Sequence, residues 1–201
     1  MSGDAEAELT RRGVRPQPGT LVVDIGGGST ELMLDDFHTS LDIGSVRFTE
    51  RFIHADPPTS QELDACATAV RDALEPVHLT PNAAIGVAGT VTTLAALDLE
   101  LAEYDRERVD GHRLTVAGAR AQLDRLAALP LAERRVLPAL EPERAPVIVA
   151  GAIILVETLA HLGLDAVEVS ERDILEGIAF AAAELPEPEE GAAPPGAFTC
   201  C

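Results

Sequence analysis

Acids, glycines and hydroxyls crowd into one short stretch, Val23-Asp24-Ile25-Gly26-Gly27-Gly28-Ser29-Thr30-Glu31-Leu32. Apolar runs flank it, Leu21, Val22, Val23 and Ile25 before and Leu32, Met33 and Leu34 after, so it reads as a β-hairpin with Gly27-Gly28 as a two-residue turn. That turn sets Gly26 opposite Ser29, Ile25 opposite Thr30 and Asp24 opposite Glu31. Directly opposed side chains share a face, and like charges there are destabilising. A cation between the two carboxylates removes the conflict, and hard oxygen ligands suit Mg²⁺. The glycines leave N–H groups unobstructed, and Ser29 and Thr30 add O–H donors, which is what a phosphate takes. Gly27 and Gly28 are both expected at positive φ or under a close backbone approach. The plainer alternative is a tight hairpin with solvated carboxylates.

A second stretch has a related character. Ala83–Val87 is a short apolar run that passes through Gly86-Val87-Ala88-Gly89-Thr90-Val91-Thr92-Thr93 into an Ala/Leu-rich segment. Strand, glycine, threonines and helix place free N–H groups and a helix dipole where an anion can sit. A βα loop with a threonine N-cap is the simpler alternative.

Around these two stretches the chain must supply the elements that hold them. Ser2–Leu9 can start a helix, but a solvated acidic lead-in is preferred, broken by Pro16, Pro18 and Gly19. Ser40–Arg47 and Phe48–Ile53 read as a third strand with an irregularity at Gly44. Thr59-Ser60-Gln61-Glu62 opens a helix in which Leu63, Ala67, Val70 and Leu74 recur at helical spacing up to Pro76, with Cys66 packed inside. Val109–Leu114 is expected to be irregular, and Thr115 to cap a helix over Ala117–Leu129 that ends at Pro130. Leu131–Arg144 carries Arg134, Arg135 and Arg144 among prolines, either a solvated helix–loop or a basic wall facing a polyanion. Pro146–Leu162 is apolar almost all round, with Pro at its start and Gly163 after its end, which marks a buried helix. Gly151 in its middle implies a close neighbour, helix or ligand, and His161 a boundary position. Ala166–Ser170 is a strand with Val167 and Val169 on one face. Arg172–Leu185 is a closing helix with Ile174, Leu175 and Ile178 as its apolar stripe. From Pro186 onward Pro, Glu, Gly and Ala predominate, as in a disordered tail.

The totals narrow the class. A chain of 201 residues, 46% hydrophobic, can bury one sizeable core, and with 3% aromatics that core is aliphatic. A net charge of −19 argues against general nucleic-acid binding, which needs basic surface. Three cysteines, two of them at Cys200 and Cys201, form neither a disulfide framework nor a metal spacing. No run is long enough for a bilayer and no signal peptide is visible, so a soluble cytoplasmic protein is the expectation.

Together, Val23–Leu32, Gly86–Leu97 (GVAGTVTTLAAL), Arg144–Ala152 (RAPVIVAGA) and Val169–Gly177 (VSERDILEG) resemble the second lobe of the Ppx/GppA phosphatases, the exopolyphosphatases and guanosine pentaphosphate phosphohydrolases. The four anchors fall in the family's order and cover roughly residues 20–180. The resemblance implies an α/β fold, a ribonuclease-H-like lobe of the actin, Hsp70 and sugar-kinase superfamily whose mixed sheet opens with an antiparallel hairpin. Residues 1–19 would then be a linker or first-lobe remnant, 20–184 the lobe and 185–201 the tail. It implies Mg²⁺-dependent release of terminal phosphate from polyphosphate or guanosine pentaphosphate. Gly26, Gly27, Gly28, Ser29 and Thr30 would hold phosphate, and Asp24 and Glu31 would orient metal or attacking water. Gly89, Thr90 and Gly151 would line the cleft. Ser2–Leu9 resembles a family element carrying a catalytic acid, with Glu6 as the candidate; Ala5 and Glu8 depart from it. The family's first lobe, with its own phosphate loop and a catalytic Glu, would precede this chain's start. The chain alone is therefore expected to bind polyphosphate weakly, to hydrolyse it hardly at all and to self-associate, as a homodimer for example. Two rival functions are a non-catalytic polyphosphate or guanosine-phosphate binding lobe and a sugar- or acetate-kinase-like transferase.

Overall fold

The computed structural model describes residues 3–172 with Gly177 and Ile178, and side chains from Glu8 onward. Glu6, most of the expected closing helix and the tail after residue 185 carry calls that lie outside the described side chains or residues.

Among the described residues six strands form one mixed sheet: β1 (Thr20–Ile25), β2 (Thr30–Leu34), β3 (Phe37–Leu41), β4 (Ala83–Val87), β5 (Arg113–Thr115) and β6 (Ala166–Val169). Their order is β3-β2-β1-β4-β6-β5. The first three make an antiparallel meander, β1, β4 and β6 run parallel, and β5 closes the far edge antiparallel to β6. The helices are α1 (Gly3–Val14), α2 (Ser45–Phe52), α3 (Ser60–Leu74), α4 (Ala88–Asp98), α5 (Arg106–Val109), α6 (Val116–Ala128), α7 (Leu131–Arg134) and α8 (Ile148–His161).

Side-chain alternation divides the sheet into two faces. Leu21, Val23, Ile25, Leu32, Ala84, Val167 and Val169 point into the main core, which α8 fills from its centre against α2, α3, α4 and α6. Val22, Met33 and Val87 point the other way and are covered with Val14 at the end of α1. Alternation puts Asp24 on this second face with Val22, and Glu31 with Met33.

Three expectations are overturned. Residues 3–14 are a helix, not a solvated lead-in: Thr10, Gly13 and Val14, spaced along one face, are buried on the sheet. The third strand ends at Leu41, and Ser45–Phe52 is helical because its first N–H groups find acceptors in the glycine turn and Phe48 is buried in the core. Val109–Leu114 is not irregular throughout: only 110–112 form a turn, between the end of α5 and the short edge strand β5. The expected helices at α3, α6 and α8 form where the spacing put them, with Thr59 and Thr115 as N-caps. Burial pushes the Cys66 thiol up to about 12, as befits a packing residue. His161 sits at the boundary with its Nε2 2.9 Å from the Val77 carbonyl oxygen. Among the described residues no helix is long and apolar enough to cross a membrane.

Candidate functional site

The β1–β2 hairpin has the register that its sequence implied. Asp24 lies opposite Glu31 and Ile25 opposite Thr30, and Gly26 N–H donates to the Ser29 carbonyl at 3.0 Å. Both carboxylates are half-buried on the α1 face. Glu31 Oε1 accepts from Ser29 Oγ at 2.6 Å and from Ser40 Oγ at 2.9 Å. Asp24 lies beside Val87 of β4, one residue before α4 begins. The carboxyl ends of β1 and β4 thus open onto the same edge of the sheet, where open α/β sheets bind ligands.

The glycine turn is held from below by α2. Gly26 carbonyl accepts from Ser45 N–H at 3.0 Å and Ser45 Oγ at 3.3 Å. Gly27 carbonyl accepts from Val46 N–H at 2.9 Å and Arg47 N–H at 3.1 Å. Gly28 carbonyl accepts from Arg47 Nε at 2.7 Å. Three successive carbonyls therefore point toward the start of α2. Neither Gly27 nor Gly28 has a positive φ, and of the two only Gly27 meets the other expectation, close approach, since a Cβ there would come within 3.2 Å of Val46 Cγ2. The tightest approach is at Gly44: a Cβ on Gly44 would fall onto the backbone of Gly27 and Gly28, whereas one on Gly28 would meet only Arg47 Nη2, at 3.9 Å.

The hydroxyls are committed elsewhere. Thr30 is fully buried and its Oγ1 donates to the Ile43 carbonyl at 2.5 Å, while Ser29 gives its hydrogen to Glu31. The O–H donors expected for phosphate are thus engaged, and the turn offers backbone N–H groups.

Next to the turn, α4 starts without a side-chain cap, and no threonine caps it. Thr90 is 6% exposed, and its Oγ1 lies 3.4 Å from the Ile25 carbonyl as donor. Gly151 is buried beneath it: a Cβ there would come within 2.6 Å of Thr90 Cγ2 and 3.4 Å of Ser45 Cβ. Gly151 thus lets α8 reach the undersides of both α2 and α4, so Thr90 and Gly151 support the site rather than line its opening. Gly89 does line an opening, a cavity of about 250 Å³ shared with Ala88, Thr92, Tyr104, Arg144 and Glu171. A Cβ on Gly89 would land on the Arg144 guanidinium, which pairs with Glu141 at 2.7 Å. Burial and a hydrogen bond to Glu171 raise the Tyr104 pKa, keeping the phenol a neutral donor. Of the basic cluster, Arg134 is turned inward, 3% exposed, onto Asp56 and the Ala145 carbonyl. The basic wall therefore does not form as a unit. Burial lowers the Arg134 pKa and Asp56 opposes that shift.

Among the described residues no three His, Cys, Asp or Glu gather into a metal nest. Two carboxylates, Asp24 and Glu31, fit Mg²⁺ of the kind held by one or two carboxylates and completed by water and substrate phosphates. Gly44, Ser45 and Arg47 were missed as site residues because the stretch reads as a strand; the small Gly44-Ser45 pair beside the hairpin was the available signal.

Compared with known proteins, the chain matches the Ppx/GppA phosphatase family over residues 1–185. It is 39% identical to exopolyphosphatase 2 of Mycobacterium tuberculosis, across 91% of this chain and 63% of that protein. Identity is 30% to a guanosine-5′-triphosphate,3′-diphosphate pyrophosphatase of Photobacterium profundum, across 90% and 38%. The fold superimposes on the Aquifex aeolicus Ppx/GppA enzyme with a TM-score of 0.85 at 32% identity, covering 90% of this chain and 64% of that one. An exopolyphosphatase structure from Cytophaga hutchinsonii matches with a TM-score of 0.78 at 25% identity, across 90% and 63%. The chain spans less than two thirds of the length of each of these proteins.

Proposed function

The chain belongs to the Ppx/GppA phosphatase family, and from that premise we propose that residues 26–29 bind the terminal phosphates of polyphosphate or guanosine pentaphosphate, as one side of a phosphoanhydride-hydrolysing cleft. One observation carries this reading: the carbonyls of Gly26, Gly27 and Gly28 all face α2. In a planar trans peptide each carbonyl points opposite to the next residue's N–H. The N–H groups of Gly27, Gly28 and Ser29 are thereby turned together to the other side, an arrangement that favours anions. Asp24 and Glu31 would hold Mg²⁺, which when bound neutralises charge on phosphoryl oxygens. Ser29 and Ser40 fix the Glu31 carboxylate by hydrogen bonds. A carboxylate so fixed can also draw a proton from attacking water, and the family resemblance assigns a second acid to Glu6.

In-line attack needs the phosphoryl group clamped and the water held. One hairpin reaches the group from one side, so the chain by itself binds more than it hydrolyses. Tripolyphosphate with Mg²⁺ should raise the melting temperature by mass action, with about 2.7 kcal/mol gained at a hundred times the dissociation constant. Asp24→Asn should abolish the Mg²⁺-dependent part of that rise, and an unchanged rise would remove Asp24 from the site. Phosphate release from long-chain polyphosphate, measured on the same protein, separates binding from turnover. Rapid, Mg²⁺-dependent release would overturn the binding-dominated reading.

A further inference from the structure

We propose that Arg47 is a positioning residue for phosphate, acting through one peptide bond rather than through its charge; this rests on the phosphate-loop reading above. The three turn carbonyls are not held alike. Those of Gly26 and Gly27 are held by backbone N–H groups at the start of α2, with Ser45 Oγ adding a second bond at Gly26. Gly28 carbonyl is held by the Arg47 side chain, Nε at 2.7 Å. The first two peptides stay oriented with almost any side chains on α2. The third, Gly28–Ser29, has no Cβ on its first residue to bias it, and nothing but Arg47 Nη2, at 3.9 Å, lies beside Gly28. Arg47 therefore decides whether the Ser29 N–H faces the ligand side with the other two.

Its guanidinium is otherwise weakly engaged. Arg47 Nη2 lies 3.4 Å from Asp42 Oδ1, and the two side chains are 52% and 91% exposed, a pairing worth little in water. The nitrogen that matters is Nε, which is bonded to Cδ. Glutamine carries its amide nitrogen on Cδ as well, so Arg47→Gln keeps a donor at that place and removes the charge. Arg47→Met keeps the length and puts a methyl there. In both variants the backbone bonds from α2 to Gly26 and Gly27 remain, and so does the burial of Phe48.

The experiment titrates Mg²⁺–tripolyphosphate into the 201-residue chain by calorimetry and follows the Ser29 amide resonance of the unliganded proteins. Arg47→Met should bind about tenfold more weakly, the loss of one hydrogen bond to a charged group, and Arg47→Gln within about threefold of wild type. The Ser29 resonance should move in Arg47→Met and stay in place in Arg47→Gln. Equal weakening in both variants would show that the charge holds the phosphate and would overturn the proposal, as would wild-type affinity in Arg47→Met. If the wild-type chain binds no tripolyphosphate, the phosphate-loop reading fails. The Ser29 resonance then decides alone, and an unmoved signal in Arg47→Met overturns the positioning role.

Discussion

At the residue scale, Gly28 and Gly44 illustrate how differently two glycines of one site are constrained. Gly28 looks the more constrained in sequence, lying inside a glycine triplet, yet a Cβ there would make only an ordinary contact with Arg47 Nη2. Gly44 stands alone, and any Cβ there meets the backbone of the turn itself. Backbone cannot swing aside as a side chain can, so Gly44→Ala should cost about 3 kcal/mol, the upper range for overpacking. Gly28→Ala should unfold at nearly the wild-type denaturant concentration. Urea melts of the two variants check this, and equal midpoints would show that α2 can slide away from the turn at little cost.

At the scale of elements, α3 shows how a single carboxylate can fix a helix start. Glu62 accepts from the N–H groups of Thr59, His54 and Ala55 at 2.8, 2.9 and 2.9 Å, and Thr59 Oγ1 accepts from the Glu62 N–H in return. These bonds, that to Thr59 foremost, hold the Glu62 pKa at about 2 against an ordinary 4.5. A depressed carboxylate stabilises the fold above its unfolded value and loses that contribution as pH falls through the folded one. The Glu62 contribution should therefore be complete above about pH 4.5 and disappear toward pH 2. Melting temperatures of wild type and Glu62→Gln should converge over that window, and a constant gap would exclude the clamp. This helix was legible from Thr59-x-x-Glu62 and its apolar spacing, as were α6 and α8 from their caps and the hairpin from its glycines. The helix α2 was not. Ser45–Phe52 carries Val46, Phe48 and Phe52, residues that suit a strand as readily as a helix. What decides for helix is non-local, since its first N–H groups are capped by carbonyls some twenty residues earlier in the chain. The edge strand β5 was illegible for a related reason: three residues hold too little pattern, and pairing with β6 defines it.

At the scale of the whole molecule, alternation along the strands announced a two-faced sheet but not what covers the second face. Val22, Met33 and Val87 need a partner there, and the amphipathic part of α1 supplies Val14. That dependence explains why residues 3–14 read as solvated when taken alone. The glycine turn, both carboxylates and the α2 clamp all lie between Asp24 and Phe48, at the end of the sheet where β3 is the edge strand. Every connection in that stretch is short, so its closure costs little chain entropy. The segment is nevertheless tied to the rest of the fold, because β1 pairs with β4 and Ile25, Leu32 and Phe48 lie in the core that α8 fills, so it opens together with that core. Occupation of the turn should then be recorded as hydrogen exchange slowed in α8 as well as in residues 24–48. Slowing confined to residues 24–48 would mean that the site opens while the core stays closed. On this arrangement the half of the cleft that would meet phosphate is seated on the core itself, and a ligand bound at one edge of the sheet would be felt at the centre of the molecule.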